Sequence, residues 1–270
     1  MKILFIGDIF GKPGRKILGR ALPGLIQHHN IDLVIANAEN MAAGRGITAK
    51  LGDTMLQNGV DVMTSGNHVW DQREAIDYIE SEPRLLRPAN FPPSVPGNGH
   101  YIATSSTGHV TGIINIMGRV FMVPLDNPFE IVLKEIEQIR KKTNVIVVDF
   151  HAEATSEKIA MGWHLDGHIT AIVGTHTHVQ TADEQILPGG TAYITDVGMT
   201  GPHDSIIGVQ KEAVLSRFVN SMPARFEPAT GRPLLNAVII TADENTGKAT
   251  AIERLRLSAS DIDTIESGEA

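Results

Sequence analysis

Metal-ligand side chains occur at five places in the sequence, each time directly after a short apolar run. The five places are Asp8, Glu39-Asn40, Asn67-His68, His151 and His176-x-His178. Carboxylate and amide oxygens and imidazole nitrogens suit iron, manganese or zinc, and they disfavour copper(I). Two imidazoles at positions 176 and 178 leave a strand end on the same side and can serve two ions about 3.5 to 4 Å apart. Because such a pair of ions needs a bridging carboxylate, Glu39 is the candidate bridge.

The apolar runs before these residues predict buried β-strands that end where the donor side chains begin. They span residues 3–6, 32–36, 60–64, 144–150 and 169–173. Ligands in α/β proteins gather beyond the carboxyl ends of strands, so donors at five strand ends can converge on one crevice. The sequence therefore predicts that residues far apart in the chain meet in one two-metal site.

Further segments complete the predicted order of elements. Helical patterns occupy residues 15–27, 48–58, 71–80, 128–141, 156–161 and part of 209–220. Shorter β-type runs occupy residues 185–187, 192–195, 237–241 and 249–254. Strands and helices that alternate in this way predict the α/β class, with packed sheets inside and helices outside. We expect one domain over residues 1–257, with a small subdomain at about 201–232 left open, and a polar tail at 258–270 that frays.

Glycine and acidic residues predict several element boundaries. Residues 11–14 are expected to form a loop before the first helix. Asp71 and Glu74 have the spacing of a capping box, which predicts the start of a helix. Gly118 is a candidate hairpin turn, and Gly162 is expected to end the helix that precedes it.

The composition restricts the partners and the chemistry of the site. The 270 residues carry a formal net charge of −8 and no block of Lys and Arg, which argues against extended nucleic acid as a partner. Bound cations could still supply a positive field for a small phosphate ester. The sequence has no cysteine, which excludes disulfides, thiolate metal ligands and a cysteine nucleophile.

Neither the N-terminal run nor any longer apolar stretch has the features of a targeting or membrane signal. Residues 3–6 form an apolar run of only four residues before Gly7, which is too short for the core of a signal peptide. No stretch approaches the roughly 20 apolar residues of a membrane helix. We therefore expect a cytoplasmic protein without a membrane partner, and the sequence leaves open whether it forms a homo-oligomer.

The order of these motifs resembles that of the calcineurin-type metallophosphoesterases. It runs from Gly7-Asp8 through an acidic residue with Asn, Gly66-Asn67-His68 and a lone His to Gly174-x-His176-x-His178. Four strings narrow the resemblance to the bacterial YmdB-type branch, across residues 1 to about 255: NAEN (37–40), TSGNHVWD (64–71), HAEATSEK (151–158) and GTHTHV (174–179). The sequence departs from the general superfamily pattern at two places, and both departures resemble the YmdB-type branch. Phe10 stands in place of a His ligand, and Glu39-Asn40 replaces Gly-Asp-x-x-Asp/Asn.

This resemblance implies a four-layer α/β/β/α sandwich around a dinuclear metal centre. Iron or manganese would be the expected metals, with zinc also compatible. One ion would be held by Asp8, Glu39, Asn40 and His178, and the other by Glu39, Asn67, His151 and His176. The implied activity is hydrolysis of small phosphodiesters, including 2′,3′- and 3′,5′-cyclic nucleotides.

A mechanism follows from these parts. Two cations lower the pKa of a bridging water, so that hydroxide can attack phosphorus in line with the leaving oxygen. His68, next to Asn67, is the predicted catalytic acid, which would stabilise charge and protonate that oxygen. Asp71 would either orient His68 or cap the following helix. The amide of Asn40 would either bind metal or bond a backbone group.

Three further side chains have two interpretations each. Glu153 could support His151 or lie in solvent. Arg45 could reach a phosphate, although solvation is its more ordinary state. Asp196 follows another strand end, and it could shape the substrate pocket without touching metal.

Two rival functions use the same residues. A phosphomonoesterase or an RNA nuclease could use the same dinuclear centre on another phosphate ester. A regulatory protein could instead bind a cyclic nucleotide or metal with negligible turnover. His68 argues against such a sensor, because binding alone does not need a proton donor.

Overall fold

The computed structural model of the protein describes residues 1–268 and contains two β-sheets with helices outside them. The strands in chain order are β1 (Lys2–Ile6), β2 (Asp8–Ile9), β3 (Leu33–Asn37), β4 (Val62–Thr64), β5 (His100–Thr104), β6 (Val110–Met117), β7 (Ile146–His151), β8 (Ala171–Thr175), β9 (Gln185–Ile186), β10 (Ala192–Ile194), β11 (Met199–Pro202), β12 (Pro233–Ala242) and β13 (Ala249–Leu257). The helices are α1 (Gly11–His29), α2 (Ala49–Gln57), α3 (Ala75–Ser81), α4 (Pro128–Ile139), α5 (Thr155–Leu165), α6 (Lys211–Asn220) and α7 (Ala259–Ser267).

The first sheet has β1 between β3 and β12. Strands β1, β3 and β4 are parallel, while β12 is antiparallel to β1 and pairs with β13 along its other edge. β11 pairs with the first residues of β12 and with β2, and so extends this sheet. In the second sheet β6, β7, β8 and β10 are parallel, with β5 and β9 antiparallel at the two edges.

Alternate residues of β1 face opposite sides of the first sheet, and both sides are buried. Ile3 and Phe5 pack between the two sheets, against residues such as Val147 of β7. Leu4 and Ile6 face the other way and pack with α1 and α2. The outer face of the second sheet packs in the same manner on α4 and α5. Three apolar layers between four layers of elements confirm the predicted α/β/β/α sandwich.

The carboxyl ends of parallel strands from both sheets meet at one edge of the sandwich. β1, β3 and β4 lead to Asp8, Glu39 and Asn67, while β7 and β8 lead to His151 and His176. Side chains of β3 and β7 hydrogen-bond to each other at this edge, which joins the two sheets there. The fold thus brings strand ends from the first and second halves of the chain to one place.

Close packing at glycines explains two differences from the predicted elements. Residues 11–14 form the first turn of α1 rather than a loop. A Cβ atom on Gly14 would lie 2.2 Å from the carbonyl oxygen of Thr200, so this glycine lets α1 lie against β11. Gly162 lies inside α5 and does not end it. A Cβ atom there would lie 2.7 Å from the ring of Tyr193, so this glycine lets α5 lie close to β10.

The predicted capping box and hairpin turn are both wrong. α3 begins at Ala75, and the carboxylate of Asp71 contacts His68 instead of capping the helix. Gly118 follows β6, whereas the hairpin between β5 and β6 turns at residues 105–109. A short polar turn of Ser, Thr and Gly residues there outcompetes the single glycine as the turn site.

The C-terminal segment is helical rather than frayed. Ser258 and Asp261 form a capping box at the start of α7, and Ile262 is buried against α1 and the first sheet. Residues 269–270 of the predicted tail lie outside the described residues.

The single domain over residues 1–257 stays a prediction, because the order of elements does not decide domain boundaries. The segment from 203 to 232 connects β11 to β12 and carries α6, and the small subdomain in this region stays a prediction. Within residues 1–268, no helix combines the length and the apolar character that crossing a bilayer requires.

Candidate metal centre

Three of the predicted ligands form a tight cluster at the edge where the strands end. Donor atoms of Glu39, His151 and His176 all lie within 4.8 Å of one another. The Nε2 atom of His151 lies 3.1 Å from Glu39 Oε1, 3.0 Å from Asn67 Oδ1 and 3.0 Å from His176 Nδ1. One ring nitrogen carries at most one proton, so hydrogen bonding cannot satisfy all three contacts at once. Lone pairs that converge in this way fit a shared cation.

The opposite edge of the His151 ring is held by a buried hydrogen-bond chain. Nδ1 of His151 lies 2.9 Å from the hydroxyl oxygen of Thr175, and that hydroxyl donates to Asp149 Oδ1 at 2.7 Å. The other carboxylate oxygen of Asp149 accepts bonds from Thr64 at 2.5 Å and Asn37 at 3.0 Å. Because the hydroxyl proton is directed to Asp149, His151 donates through Nδ1 and presents Nε2 to the cluster.

Three other predicted ligands each present one unused donor atom beside this cluster. Among the described residues, Asp8 Oδ1 and Asn40 Oδ1 are buried without a hydrogen-bond partner. The second oxygen of Asp8 accepts from the backbone N–H of His176 at 3.2 Å, and the amide nitrogen of Asn40 donates to Gly44 O at 3.0 Å. His178 contacts the carbonyl of Ile207 through Nδ1 at 3.0 Å, and its Nε2 lies 3.9 Å from Asp8 Oδ1.

These unused atoms are the test of whether the residues fit a metal. A buried oxygen without a partner is costly, and such atoms are rare in folded proteins. Cation binding at Asp8 Oδ1 and Asn40 Oδ1 would satisfy both at once. The amide nitrogen of Asn40 makes the bond to a backbone group, which leaves the amide oxygen free, and its role as a metal ligand stays a prediction.

Acidic side chains lie close together at the site. Burial raises the pKa of Asp8 well above its usual range; His151 opposes this shift, and the carboxylates of Asp196, Glu39 and Asp149 add to it. Burial would also raise the pKa of Glu39, but the imidazoles of His151 and His68 outweigh it and lower this pKa to about 2. Such a concentration of buried carboxylates favours binding of cations.

The surroundings shift the pKa values of the two imidazoles of the cluster in opposite directions. Burial lowers the pKa of His151, but Glu39 and other carboxylates outweigh it and raise this pKa to about 9. Burial and the neighbouring His151 lower the pKa of His176 to about 3. His176 is therefore neutral, and its Nε2 atom lies 3.0 Å from Glu153 Oε2. Glu153 thus contacts His176, a partner that neither of its two interpretations from the sequence named.

The loop that carries His176 and His178 has strained backbone. Their φ angles are 98° and 67°, in the left-handed region that non-glycine residues rarely adopt. Between them, Thr177 donates its N–H and its hydroxyl to Asp196 Oδ2, at 3.1 and 2.7 Å. The buried ammonium of Lys158 donates to the same carboxylate oxygen at 2.6 Å and to the carbonyl of Thr175 at 2.7 Å. This buried pair fixes the loop from both ends.

His68 lies beside the cluster and is held at two points. Its backbone N–H donates to Glu39 Oε2 at 3.0 Å, and its Nδ1 lies 2.8 Å from Asp71 Oδ2. The side chain is 25% exposed, so the ring can reach solvent or a substrate. Of the two interpretations of Asp71, the geometry therefore supports orientation of His68.

A cleft of about 1340 Å³ opens above these residues. The predicted ligands Glu39, Asn40, His176 and His178 line it together with His68. Arg45 is exposed and also lines the cleft, with its carbonyl bonded to Gln72. The space is thus larger than a metal-bound phosphate alone would need.

Comparison with known proteins identifies the family. The model of a family described as YmdB-like protein matches residues 4–255. The chain belongs to the YmdB-like protein family. It is 48% identical over 258 residues to the 2′,3′-cyclic-nucleotide 2′-phosphodiesterase of Bacillus subtilis (strain 168), covering 96% of this chain and 97% of the relative.

Two crystal structures share the fold of this YmdB-like chain. One is a hypothetical protein from Thermus thermophilus, with 41% identity and a TM-score of 0.89, covering 96% of this chain and 99% of the other. The second is described as a novel phosphatase from Mycoplasma pneumoniae, with 38% identity and a TM-score of 0.88, covering 96% and 93%. The metallophosphoesterase-type sandwich expected from the sequence is therefore confirmed.

Sequence reasoning about this YmdB-like chain missed the supports of the cluster. Lys158, Thr175 and Asp149 were not singled out, although all three are buried and polar. A lysine and an aspartate within apolar segments could have signalled buried partners, because such residues are almost never fully buried unless paired. The identity of the partners still required the fold.

Proposed function

We propose that this protein is a metal-dependent phosphodiesterase that hydrolyses small phosphodiesters, such as 2′,3′- and 3′,5′-cyclic nucleotides. The observation that carries the proposal is the pair of unsatisfied buried oxygens, on Asp8 and Asn40, beside the cluster of Glu39, His151 and His176. Membership of the YmdB-like family and the name of the Bacillus subtilis relative support the choice of phosphodiester substrates.

The chain offers ligands for two ions of iron, manganese or zinc. Asp8, Asn40 and His178 would hold one ion, Asn67, His151 and His176 the other, and Glu39 would contact both. When bound, the two cations would supply an attacking hydroxide near neutral pH and neutralise the phosphate oxygens. Oxygen and nitrogen donors of this kind suit these metals.

His68 would donate the proton that the leaving oxygen needs. Its contact with Asp71 through Nδ1 leaves Nε2 as the ring atom that can donate a proton to the leaving oxygen. Its backbone N–H on Glu39 keeps the ring next to the proposed ligands. Glu153 and Asp149 do not reach a reacting atom in this scheme, and they orient His176 and His151 instead.

Metal analysis of freshly purified protein tests the centre itself. We expect about two ions per chain, as a dinuclear site requires. Chelation should abolish hydrolysis, and adding back iron or manganese should restore it. Protein that remains fully active after exhaustive chelation would overturn the proposal.

A comparison of three substrates tests the reaction class. We expect kcat/KM to be highest for 2′,3′-cyclic AMP and lower for a nitrophenyl phosphate monoester and a short RNA. Monoester turnover far above diester turnover would identify a phosphomonoesterase. Cyclic-nucleotide binding with no turnover of any of the three, in metal-loaded protein, would identify a sensor.

The formal net charge of −8 continues to argue for a small substrate and against a long polyanion. The cytoplasmic location and the homo-oligomer stay predictions from the sequence.

A further inference from the structure

An apolar wall lines the same cleft as the predicted ligands. It is formed by Ile206, Ile207, Phe218 and Phe226, all of which line the cleft. The wall belongs to the segment between β11 and β12, whereas the proposed ligands lie at the ends of earlier strands. The cleft is therefore lined both by polar residues suited to metals and phosphate and by residues suited to an apolar group.

The wall begins next to a proposed metal ligand. The carbonyl oxygen of Ile207 lies 3.0 Å from Nδ1 of His178, so the two residues are in direct contact. Ile207 has a φ angle of 46°, which is strained for a β-branched residue, and its side chain is 54% exposed. Strained backbone that holds an apolar side chain at the mouth of a site is typical of a functional contact.

Phe218 does not serve the protein core. It lies on α6 and is 79% exposed, and Val214 is the residue of this helix that is buried. A phenyl ring left in solvent at the rim of a cleft presents a flat face without stabilising the fold. Nearby, the guanidinium of Arg217 lies over the ring of Phe226, 5.3 Å from its centroid, which adds positive charge to the wall.

We propose that this wall is the subsite for the nucleobase of the substrate, with Phe218 as the ring on which the base stacks. The inference rests on the proposed function, which places the phosphate at the proposed metal ligands of the same cleft. A nucleoside is the part of a cyclic nucleotide that then remains, and its base offers a π face to an exposed aromatic ring. Because every base has such a face, the subsite favours nucleotides over base-free diesters and discriminates weakly among the four bases.

Two substrates and two neighbouring residues provide the test. The substrates are 2′,3′-cyclic AMP and ribose 2′,3′-cyclic phosphate, which carries the same diester without a base. The variants are Phe218→Ala and Val219→Ala; Val219 is adjacent on α6 and 78% exposed, but it does not line the cleft. We expect Phe218→Ala to lower the ratio of the two kcat/KM values, nucleotide over base-free diester, by about 10-fold. Val219→Ala should leave this ratio as in the unmodified protein.

Conservative variants separate stacking from general damage to α6. Phe218→Tyr should restore the ratio, since it keeps the ring, and Phe218→Leu should restore little of it. A ratio that is the same in Phe218→Ala and the unmodified protein would overturn the subsite. Equal losses on both substrates would overturn it too, because they would indicate a disturbed metal centre.

The proposed function can fail separately from this inference. If the unmodified, metal-loaded protein hydrolyses neither diester, the phosphodiesterase assignment fails. If it hydrolyses both at equal kcat/KM, the assignment stands and the base subsite is wrong. Similar kcat/KM for the cyclic phosphates of adenosine, guanosine, cytidine and uridine is the further result expected of a stacking subsite.

Discussion

At the scale of single residues, His68 differs from the proposed metal ligands in its contacts and its exposure. Its contacts are a backbone bond to Glu39 and a ring contact with Asp71, at 3.0 and 2.8 Å. Its side chain is also partly exposed, whereas His151 is fully buried. Removal of the His68 ring should therefore leave the ligand cluster intact.

We expect His68→Ala to lower kcat by about 10²- to 10⁴-fold while the metal content stays unchanged. The reason is that the ring is needed for proton transfer but not for coordination. Steady-state kinetics and metal analysis of the same preparation provide the measurement. A matched Asp71→Asn variant should show a smaller loss of kcat, because the ring remains and only its orientation is weakened. Loss of metal in His68→Ala would instead assign this residue to the ligand set.

At the scale of elements, glycines decide how closely a strand end can approach the cluster. A Cβ atom on Gly66 would lie 2.2 Å from Cδ2 and 2.3 Å from Nε2 of His151. The glycine before Asn67 is thus required by contact with a proposed ligand, and the GNH string has a packing cause as well as a chemical one.

We expect Gly66→Ala to weaken metal binding by about 10- to 100-fold, because the His151 ring must shift. Gly24→Ala in α1 is the control, since its Cβ would meet Ile265 at an ordinary 3.6 Å. That control should raise the free energy of unfolding by about 0.5–1 kcal/mol and leave metal affinity unchanged. Isothermal titration of the metal-free proteins measures the difference. Equal affinities in the two variants would contradict the packing argument.

The buried Lys158–Asp196 pair connects α5 to the loop that carries His176 and His178. We expect Lys158→Met to lower the free energy of unfolding by about 3–5 kcal/mol, because it leaves the Asp196 carboxylate buried without its ammonium partner. Metal affinity should fall as well, since the strained backbone at His176 and His178 loses a support. Urea unfolding and metal titration measure the two effects.

The exposed pair of Lys211 and Asp204 offers a control of the same chemistry, with a distance of 2.6 Å between its charged atoms. Lys211→Met should leave the urea midpoint nearly unchanged, because exposed ion pairs contribute little. Similar losses of unfolding free energy in Lys158→Met and Lys211→Met would contradict the prediction that the buried pair contributes more to stability than the exposed pair.

The sequence predicted the elements near the site better than it predicted their supports. Apolar runs that end in donor residues are local patterns, so the strands before Asp8 and His151 could be identified directly. The short strand β11 was missed, because Met199–Pro202 contains a glycine and a proline and has no apolar run. The chain from Asp149 through Thr175 to His151 could not be predicted either, since it depends on the register between β7 and β8.

At the scale of the whole molecule, the net charge of the protein favours an enzyme of small diesters over a nuclease. The formal net charge is −8, and the cleft carries exposed Arg45 and Arg217 rather than a basic stripe. The metal ions would then provide most of the local positive field.

We expect kcat/KM for 2′,3′-cyclic AMP to change by less than about threefold between 50 and 200 mM salt, because few counterions are released. A protein that grips a long polyanion at six to ten phosphates loses roughly 10³- to 10⁵-fold in affinity over the same range. Hydrolysis of a 30-nucleotide RNA, measured in parallel, is the comparison. RNA hydrolysis that is faster than cyclic-nucleotide hydrolysis and steeply salt-dependent would favour the nuclease.

The position of β1 between early and late strands has a consequence for biosynthesis. β1 pairs with residues 237–241 of β12, and Gly7, just before Asp8, donates its N–H to Asn236 O at 3.0 Å. A nascent chain on the ribosome therefore cannot complete the first sheet until β13, which ends at residue 257, has emerged, and such distant pairings form slowly. We expect metal insertion to follow translation, so that an incomplete polypeptide does not capture a metal ion.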